Sequence, residues 1–208
     1  MGLHVVEHPV LQEALAVLRD RATGPPEFRR ALGRAAAVLF LEASRDLPQE
    51  TGSVESPLGR APARRLRSDA ITLVPVLRAG QGMLDGILPL VPSARVAHVG
   101  LRRDEATAEA ERYYANLPAS VKGSVAFVLD PMLATGGTLA EALRLLAEAG
   151  VAQSRVLAVV AAPEGVARLQ AVQPRAEIHV AAVDEGLDGR KYILPGLGDA
   201  GDRCWGTI

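Results

Sequence analysis

Cysteine is nearly absent from this chain: Cys204 is alone among 208 residues, so it closes no internal disulfide and builds no cysteine zinc site. Neither sign of charge is in surplus, with 24 acidic against 23 basic side chains. A protein that coats nucleic acid or an anionic membrane needs an excess of Lys and Arg, so neither partner is expected and any anion site must be local. Uninterrupted apolar runs fall well short of the roughly 20 residues of a membrane span. The start, Met1 to Val10, lacks the basic opening and apolar core of a secretory signal, which makes the cytoplasm the expected location. Lysine and asparagine are scarce as well, with Lys122, Lys191 and Asn116 the whole complement. Two nucleotide-binding signatures are missing: a glycine-rich loop ending in Gly-Lys-Ser/Thr, and a G-x-G-x-x-G after the first strand. Their absence removes the P-loop nucleotidases and the usual dinucleotide fingerprint.

What is present suffices for one globular domain, since a chain of this length buries well over half of the surface its unfolded form exposes. Apolar residues recur at helical spacing in Leu11, Ala14, Leu15 and Leu18, and again in Phe28, Leu32, Ala35, Leu39, Phe40 and Ala43. From Asp46 to Asp69 the chain is rich in Pro, Gly and Arg and reads as an irregular or hairpin-like connection, with a short arm around Thr51 to Ser56. Then come short, nearly continuous apolar runs at Ile71–Leu77, Val96–Leu101, Val125–Leu129, Val156–Ala161 and Ile178–Val183. Runs of this kind are strands covered on both faces. Helical patterns lie between them at Gly82 to Leu90, Thr138 to Ala149 and Pro163 to Ala171. Alternating strands and helices imply a parallel sheet whose ligands bind at the carboxyl ends of the strands. The charged stretch Arg102 to Leu117, with Tyr113 and Tyr114, reads as a mobile flap.

One segment carries the clearest chemistry. The run Val125–Leu129 delivers Asp130, after which Pro131, Met132, Leu133, Ala134, Thr135, Gly136, Gly137 and Thr138 lead directly into the next helix. A loop of small and hydroxyl residues at a helix N-terminus is suited to phosphate: glycines let N–H groups approach the oxygens, hydroxyls add donors, and the helix dipole favours the anion. Asp130 would then sit within reach of sugar hydroxyls attached to that phosphate. The competing local reading is a capping box, Thr138 with Glu141 three residues on.

Strand, acid and Ala-Thr-Gly-Gly-Thr resemble the signature of the type I phosphoribosyltransferases. Asp130-Pro131, in place of two adjacent acids, is similar to the uracil branch of that family. Four further segments resemble it: Val76 to Gly86, Arg102 to Glu105, Ala161 to Gly165 and, most specifically, Tyr192 to Arg203. His8-Pro9 and Glu42 to Leu47 also fit, so the likeness runs over nearly the whole chain. Departures are Arg102 where many relatives have an aromatic, Asn116 for lysine, Gln81 for leucine and Trp205 for phenylalanine.

The resemblance implies an α/β fold with a central parallel sheet flanked by helices: a helical N-terminal part over 1–47, a flap over 102–117 and a small base-binding hood over 184–208. It implies transfer of ribose phosphate from 5-phosphoribosyl 1-diphosphate (PRPP) to uracil, giving UMP and diphosphate, with Mg²⁺ arriving on PRPP. Arg78 and Arg103 would hold the diphosphate, Asp199 would act near it through metal-bound water, Asp130 would hold the ribose, and the loop to Thr138 the 5-phosphate. Backbone groups of Ile193, Gly198 and Ala200, beside Asp199, would recognise uracil. The two long N-terminal helical patterns and the apolar loops point to a homodimer or homotetramer, and a GTP effector is an expectation from some relatives, assigned to no residue. Two other readings stand beside this one: transfer to a purine or orotate, and a PRPP-sensing RNA-binding regulator whose basic surface would be the Arg60 to Arg67 cluster.

Overall fold

The computed structural model describes residues 2–67, 70–103 and 110–207, and the side chains of all but 102, 103, 110 and 111. In chain order the elements are β1 (Leu3–Val5), α1 (Pro9–Arg19), α2 (Pro25–Ala43), β2 (Gln49–Ser56), β3 (Gly59–Leu66), β4 (Ile71–Leu77), α3 (Gln81–Ile87), β5 (Arg95–Val96), β6 (Val99–Arg103) and β7 (Ala110–Ala115). They continue with β8 (Val125–Leu129), β9 (Met132–Leu133), α4 (Gly137–Glu148), β10 (Gln153–Ala161), α5 (Pro163–Val172), β11 (Glu177–Val183), β12 (Gly186–Leu187), β13 (Ile193–Leu194) and α6 (Ala200–Trp205). Among the described residues, no helix is long and apolar enough to cross a membrane.

The main sheet runs β1-β11-β10-β8-β4-β6-β7, with β5 added to β4 and β9 to β10. Every pairing in it is parallel except β6 with β7. The expected α/β architecture is therefore present, and alternation along the strands explains its two layers. In β8, Phe127 and Leu129 join the core under α1, α2 and α3, while Ala126 and Val128 join the core under α4 and α5. Phe40 of α2 packs on Phe127 with ring centroids 4.8 Å apart. Helices α1, α2 and α5 each begin at proline, whose fixed φ suits the first helical position and whose missing N–H is no loss there.

Several elements differ from the sequence reading. The run Val96–Leu101 is split, because β5 pairs with the amino half of β4 and β6 with its carboxyl end. His98 falls in the gap and meets the side chain of Gln81 at 3.1 Å, so it is not a strand residue. Of the two readings of the connection after α2, irregular or hairpin-like, the hairpin is the one present, with β2 paired to β3. The three-residue edge strand β1 was not expected. The stretch 102–117, expected to be a flap, contains the antiparallel strand β7, and 104–109 lies outside the described residues.

At the amino end of the sheet Arg155 is almost wholly buried. Its guanidinium meets both carboxylate oxygens of Asp46, at 2.6 and 2.8 Å, and the carbonyl of Ala43. A buried cation is tolerated only when paired in this way, and the pairing seats the end of α2 on the sheet. His179 is buried beside it, and burial, reinforced by neighbouring His4, lowers its pKa to about 4.

Helices α2 and α3 cross where Gly33 meets Gly86. A Cβ on Gly86 would lie 1.9 Å from the carbonyl oxygen of Gly33, whereas a Cβ on Gly33 would meet only the Gly86 backbone at 3.5 Å. The two glycines should therefore respond oppositely in urea unfolding. Gly86→Ala is expected to cost about 1–3 kcal/mol by overpacking. Gly33→Ala is expected to gain up to about 1 kcal/mol from the reduced backbone entropy loss in a helix.

Candidate active site

The carboxyl ends of β4 and β8 open into a cavity of about 800 Å³. Arg78 and Ala79 reach it from β4, and Asp130, Met132, Ala134, Thr135 and Thr138 from β8. Arg190, Lys191, Tyr192, Ile193 and Asp199 enter from the C-terminal segment.

The loop after β8 is held by backbone packing. Gly136 sits at the N-cap of α4 with φ 76°, a left-handed conformation that favours glycine. On Gly165, at the start of α5, a Cβ would lie 2.3 Å from the carbonyl oxygen of Ala134; on Gly136, it would lie 2.9 Å from the carbonyl oxygen of Gly165. Among the described residues no side chain caps α4. The capping-box reading is thus wrong: Gly136 takes the N-cap position, and Glu141 instead accepts from Arg144 at 2.7 Å. Without a capping side chain, the first-turn N–H donors and the positive end of the helix dipole remain free for an anion.

Asp130 follows β8 directly, and its Oδ1 accepts a hydrogen bond from the Met132 N–H at 3.2 Å. Loss of water around the carboxyl raises its pKa to about 7, against a weak opposing effect from that N–H. Because the group lines an open cleft, solvent on one side moderates the rise.

Arg78 leaves β4 through a turn pressed against β8. A Cβ on Gly80 would lie 2.1 Å from the carbonyl oxygen of Leu129 and 2.7 Å from backbone atoms of Val76. The guanidinium donates to Asp202 at 2.9 Å, and its side chain is 57% exposed, so a ligand can compete for it. Asp202 is held below the usual carboxylate range by Thr207 first and then by Arg78. The Trp205 indole donates to the Arg78 carbonyl at 3.3 Å, which gives this aromatic a positioning contact.

Asp199 is the N-cap of α6 and accepts from the Asp202 N–H at 2.9 Å. The segment before it is tied to the N-terminal helices. Arg19 pairs with both oxygens of Asp184 at 2.6 and 3.0 Å and donates to the Gly196 carbonyl at 3.0 Å, while Gly196 N–H donates to Asp184 at 3.0 Å. Arg203 donates to the Leu197 carbonyl at 2.8 Å and stacks on Phe28 at 4.5 Å.

Of the residues singled out from sequence, the cavity brings together Arg78, Asp130, Met132, Ala134, Thr135, Thr138, Ile193 and Asp199. Pro131, Leu133 and Ala200 are instead buried in the packing beneath it. Gly136 and Gly137 contribute backbone at the start of α4, and Gly198 lies beside Asp199 with φ 69°. The Arg103 side chain lies outside the described ones. Arg190 and Lys191 line the cavity as well, outside any motif read from the sequence. Their only sequence signal is a pair of adjacent cations directly before the Tyr192 segment.

A mostly parallel sheet carrying an acid and an uncapped helix N-terminus at one edge defines the class: a type I phosphoribosyltransferase fold. The chain superposes on a hypoxanthine-guanine phosphoribosyltransferase of Bacillus anthracis with a TM-score of 0.51 at 11% identity, covering 77% of this chain and 80% of that one. Within the class, the chain belongs to the uracil phosphoribosyltransferase family, whose model matches residues 5–207. It is 47% identical over 205 residues to the uracil phosphoribosyltransferase of Shouchella clausii, covering 99% of this chain and 98% of the relative. Against that of Symbiobacterium thermophilum the identity is 46% over 203 residues, covering 98% and 97%. The AQ2163 protein from Aquifex aeolicus matches in structure with a TM-score of 0.94 at 37% identity, covering 98% of both chains.

The raised pKa of Asp130 has a consequence for stability. A carboxyl whose folded pKa of about 7 exceeds its ordinary 3.8 favours the fold in its neutral form. That contribution is intact below the ordinary value and is lost as pH rises through the folded one. Asp130→Asn should therefore gain stability relative to the parent between about pH 4 and about pH 7 and level off above. Urea unfolding across this range measures the difference; a gap that does not change with pH would refute the assignment.

Proposed function

We propose that the chain transfers the 5-phosphoribosyl group of PRPP to uracil. The uracil N1 forms a bond to the anomeric carbon, the bond from that carbon to the diphosphate oxygen breaks, and the N1 proton is released, giving UMP and diphosphate. The observation that carries this reading is the single cavity shared by Asp130, the uncapped start of α4 and the segment Tyr192 to Asp199.

In this reading the 5-phosphate sits against Thr135, Thr138 and the N–H groups of Gly136 and Gly137, where the helix dipole favours it. Asp130 accepts hydrogen bonds from the ribose hydroxyls, which favours its ionised form and draws its pKa back down. Arg78 exchanges Asp202 for diphosphate oxygens, with Arg103 as the second clamp and Arg190 and Lys191 adding positive charge at the rim. Backbone groups of Ile193, Gly198 and Ala200 read the donor and acceptor pattern of uracil, and segment 184–208 acts as the hood. Closure of the flap over 102–117 excludes water, a competing nucleophile.

The donor set fits a hard cation brought by the substrate. Among its described lining residues the cavity offers the carboxylates of Asp130 and Asp199 and no imidazole or thiolate. Mg²⁺ prefers oxygen ligands, keeps several waters, and when bound neutralises charge on the leaving diphosphate.

Incubation with PRPP, Mg²⁺ and a panel of bases, following diphosphate release, tests the specificity; silence with uracil and signal with another base would overturn it. In the same assay Asp130→Asn should lower kcat by about 100-fold through loss of ribose positioning, with its urea midpoint held or raised above pH 7. Unchanged turnover would remove Asp130 from the mechanism.

A further inference from the structure

At the amino end of the sheet, away from the cleft, a second polar cavity is lined by His4, Glu42, Asp46, Arg155, Glu177 and His179 among others. It shares no lining residue with the active-site cavity. Strand geometry assembles its centre. His4 of β1 is the register partner of His179 in β11, and Glu177 lies two residues before His179, on the same face of that strand. The two imidazoles are stacked, with centroids 4.6 Å apart and planes within 14°. One ligand atom from each of His4, Glu177 and His179 lies within 4.8 Å of the others.

Two observations separate this cluster from an ordinary polar edge. His179 is only 6% exposed, yet among the described residues its Nε2 has no hydrogen-bond partner, and Oε2 of Glu177 is 3.7 Å away. A buried polar atom without a partner carries a desolvation cost that a ligand would relieve. The charge around it is also accounted for. Arg155, the one buried cation at the site, is matched by the bidentate contact with Asp46 and touches Glu177 only at 3.3 Å. Glu42 and Asp46 line the same cavity. Two imidazoles and one carboxylate form a donor set suited to a borderline divalent ion, unlike the all-oxygen set of the cleft.

We propose that His4, Glu177 and His179 form a binding site for a divalent first-row transition ion of the Zn²⁺ class, which clasps the edge strand β1 to β11. Three protein ligands leave a coordination position open on the cavity side. The role is structural: β1 has three residues and one neighbour in the sheet, and a metal bridge would supply the hold that so short an edge strand lacks.

The test uses the full chain, purified in chelator and freed of it, without PRPP or Mg²⁺. Titration with Co²⁺ should give one ion per chain with visible ligand-field bands, displaced by Zn²⁺, and Zn²⁺ should raise the unfolding temperature. The double variant His4→Phe and His179→Phe keeps two stacked rings but removes two ligands. It should bind at least about tenfold more weakly, since loss of even an outer-shell partner costs about 10–100-fold, and should transfer to uracil at the parent rate. Binding of equal affinity in the double variant, or no binding by the parent, would overturn the proposal. A second readout needs no variant: Co²⁺ should perturb the imidazole NMR signals of His4 and His179 and leave those of His98 unchanged, and a perturbation centred on His98 would refute the site.

Discussion

The geometry of the cleft depends on one backbone contact, that of Gly80 against the carbonyl of Leu129. Strands β4 and β8 are neighbours in the sheet, and their carboxyl ends deliver Arg78 and Asp130 respectively. A side chain at residue 80 would stand 2.1 Å from the Leu129 oxygen, so only glycine allows the turn after β4 to fold tightly over the end of β8. The separation between the cation and the acid is therefore fixed by main-chain packing. Flexible side chains contribute to it only at their tips. The same device recurs one strand away, where Gly136 and Gly165 hold the start of α4 against the start of α5. Positions set this way cost no side-chain entropy when a ligand arrives, which is the condition for effective orientation of reacting groups.

The other wall of the cleft is built from distant sequence. Segment Asp184 to Arg203 has little regular structure, only the two-residue strands β12 and β13 before α6, and cannot hold its own shape. Its shape comes from α1 and α2: Arg19 pairs with Asp184 and holds the Gly196 carbonyl, while Arg203 reaches back to the carboxyl end of α1 and lies over Phe28. Asp184 is almost fully buried in that pair, where an unmatched carboxylate would be strongly penalised. The N-terminal helices thus have a job beyond covering the sheet. They fix the segment that, in the proposed reaction, reads the base.

Much of this could be read from sequence because the information was local. The apolar runs Ile71–Leu77 and Val125–Leu129 are strands with those same bounds, and the acid-to-helix loop lies at the cleft. What escaped was set by partners elsewhere. Val96–Leu101 has the composition of one strand but becomes two, because its halves pair with different parts of β4. β1 is too short to show a period and exists through its pairing with β11. Thr138 and Glu141 satisfy the capping-box spacing, yet the left-handed turn at Gly136 starts the helix earlier and releases both side chains. Arg190 and Lys191 belong to no motif in the sequence, and they line the cavity from the turn between the paired strands β12 and β13.

Near-neutral overall charge, with 24 acids and 23 bases, conceals a strongly uneven distribution at the site. The cleft concentrates Arg78, Arg190, Lys191 and an uncapped helix N-terminus. A fully ionised Asp130 there would repel a substrate carrying a phosphate and a diphosphate. Its raised pKa, about 7, resolves the conflict. Without ligand the carboxyl is only partly ionised near neutral pH and opposes approaching phosphates less than a full charge would. In the proposed complex ribose hydroxyls donate to it, and the ionised form becomes the favoured one. In the proposed reaction that negative charge then stands beside a ring that turns positive as diphosphate departs, so it appears where the transition state can use it. In that proposal desolvation of one carboxyl would serve both binding and chemistry, and it arises from where β8 ends: a strand buried on both faces leaves its terminal acid short of water.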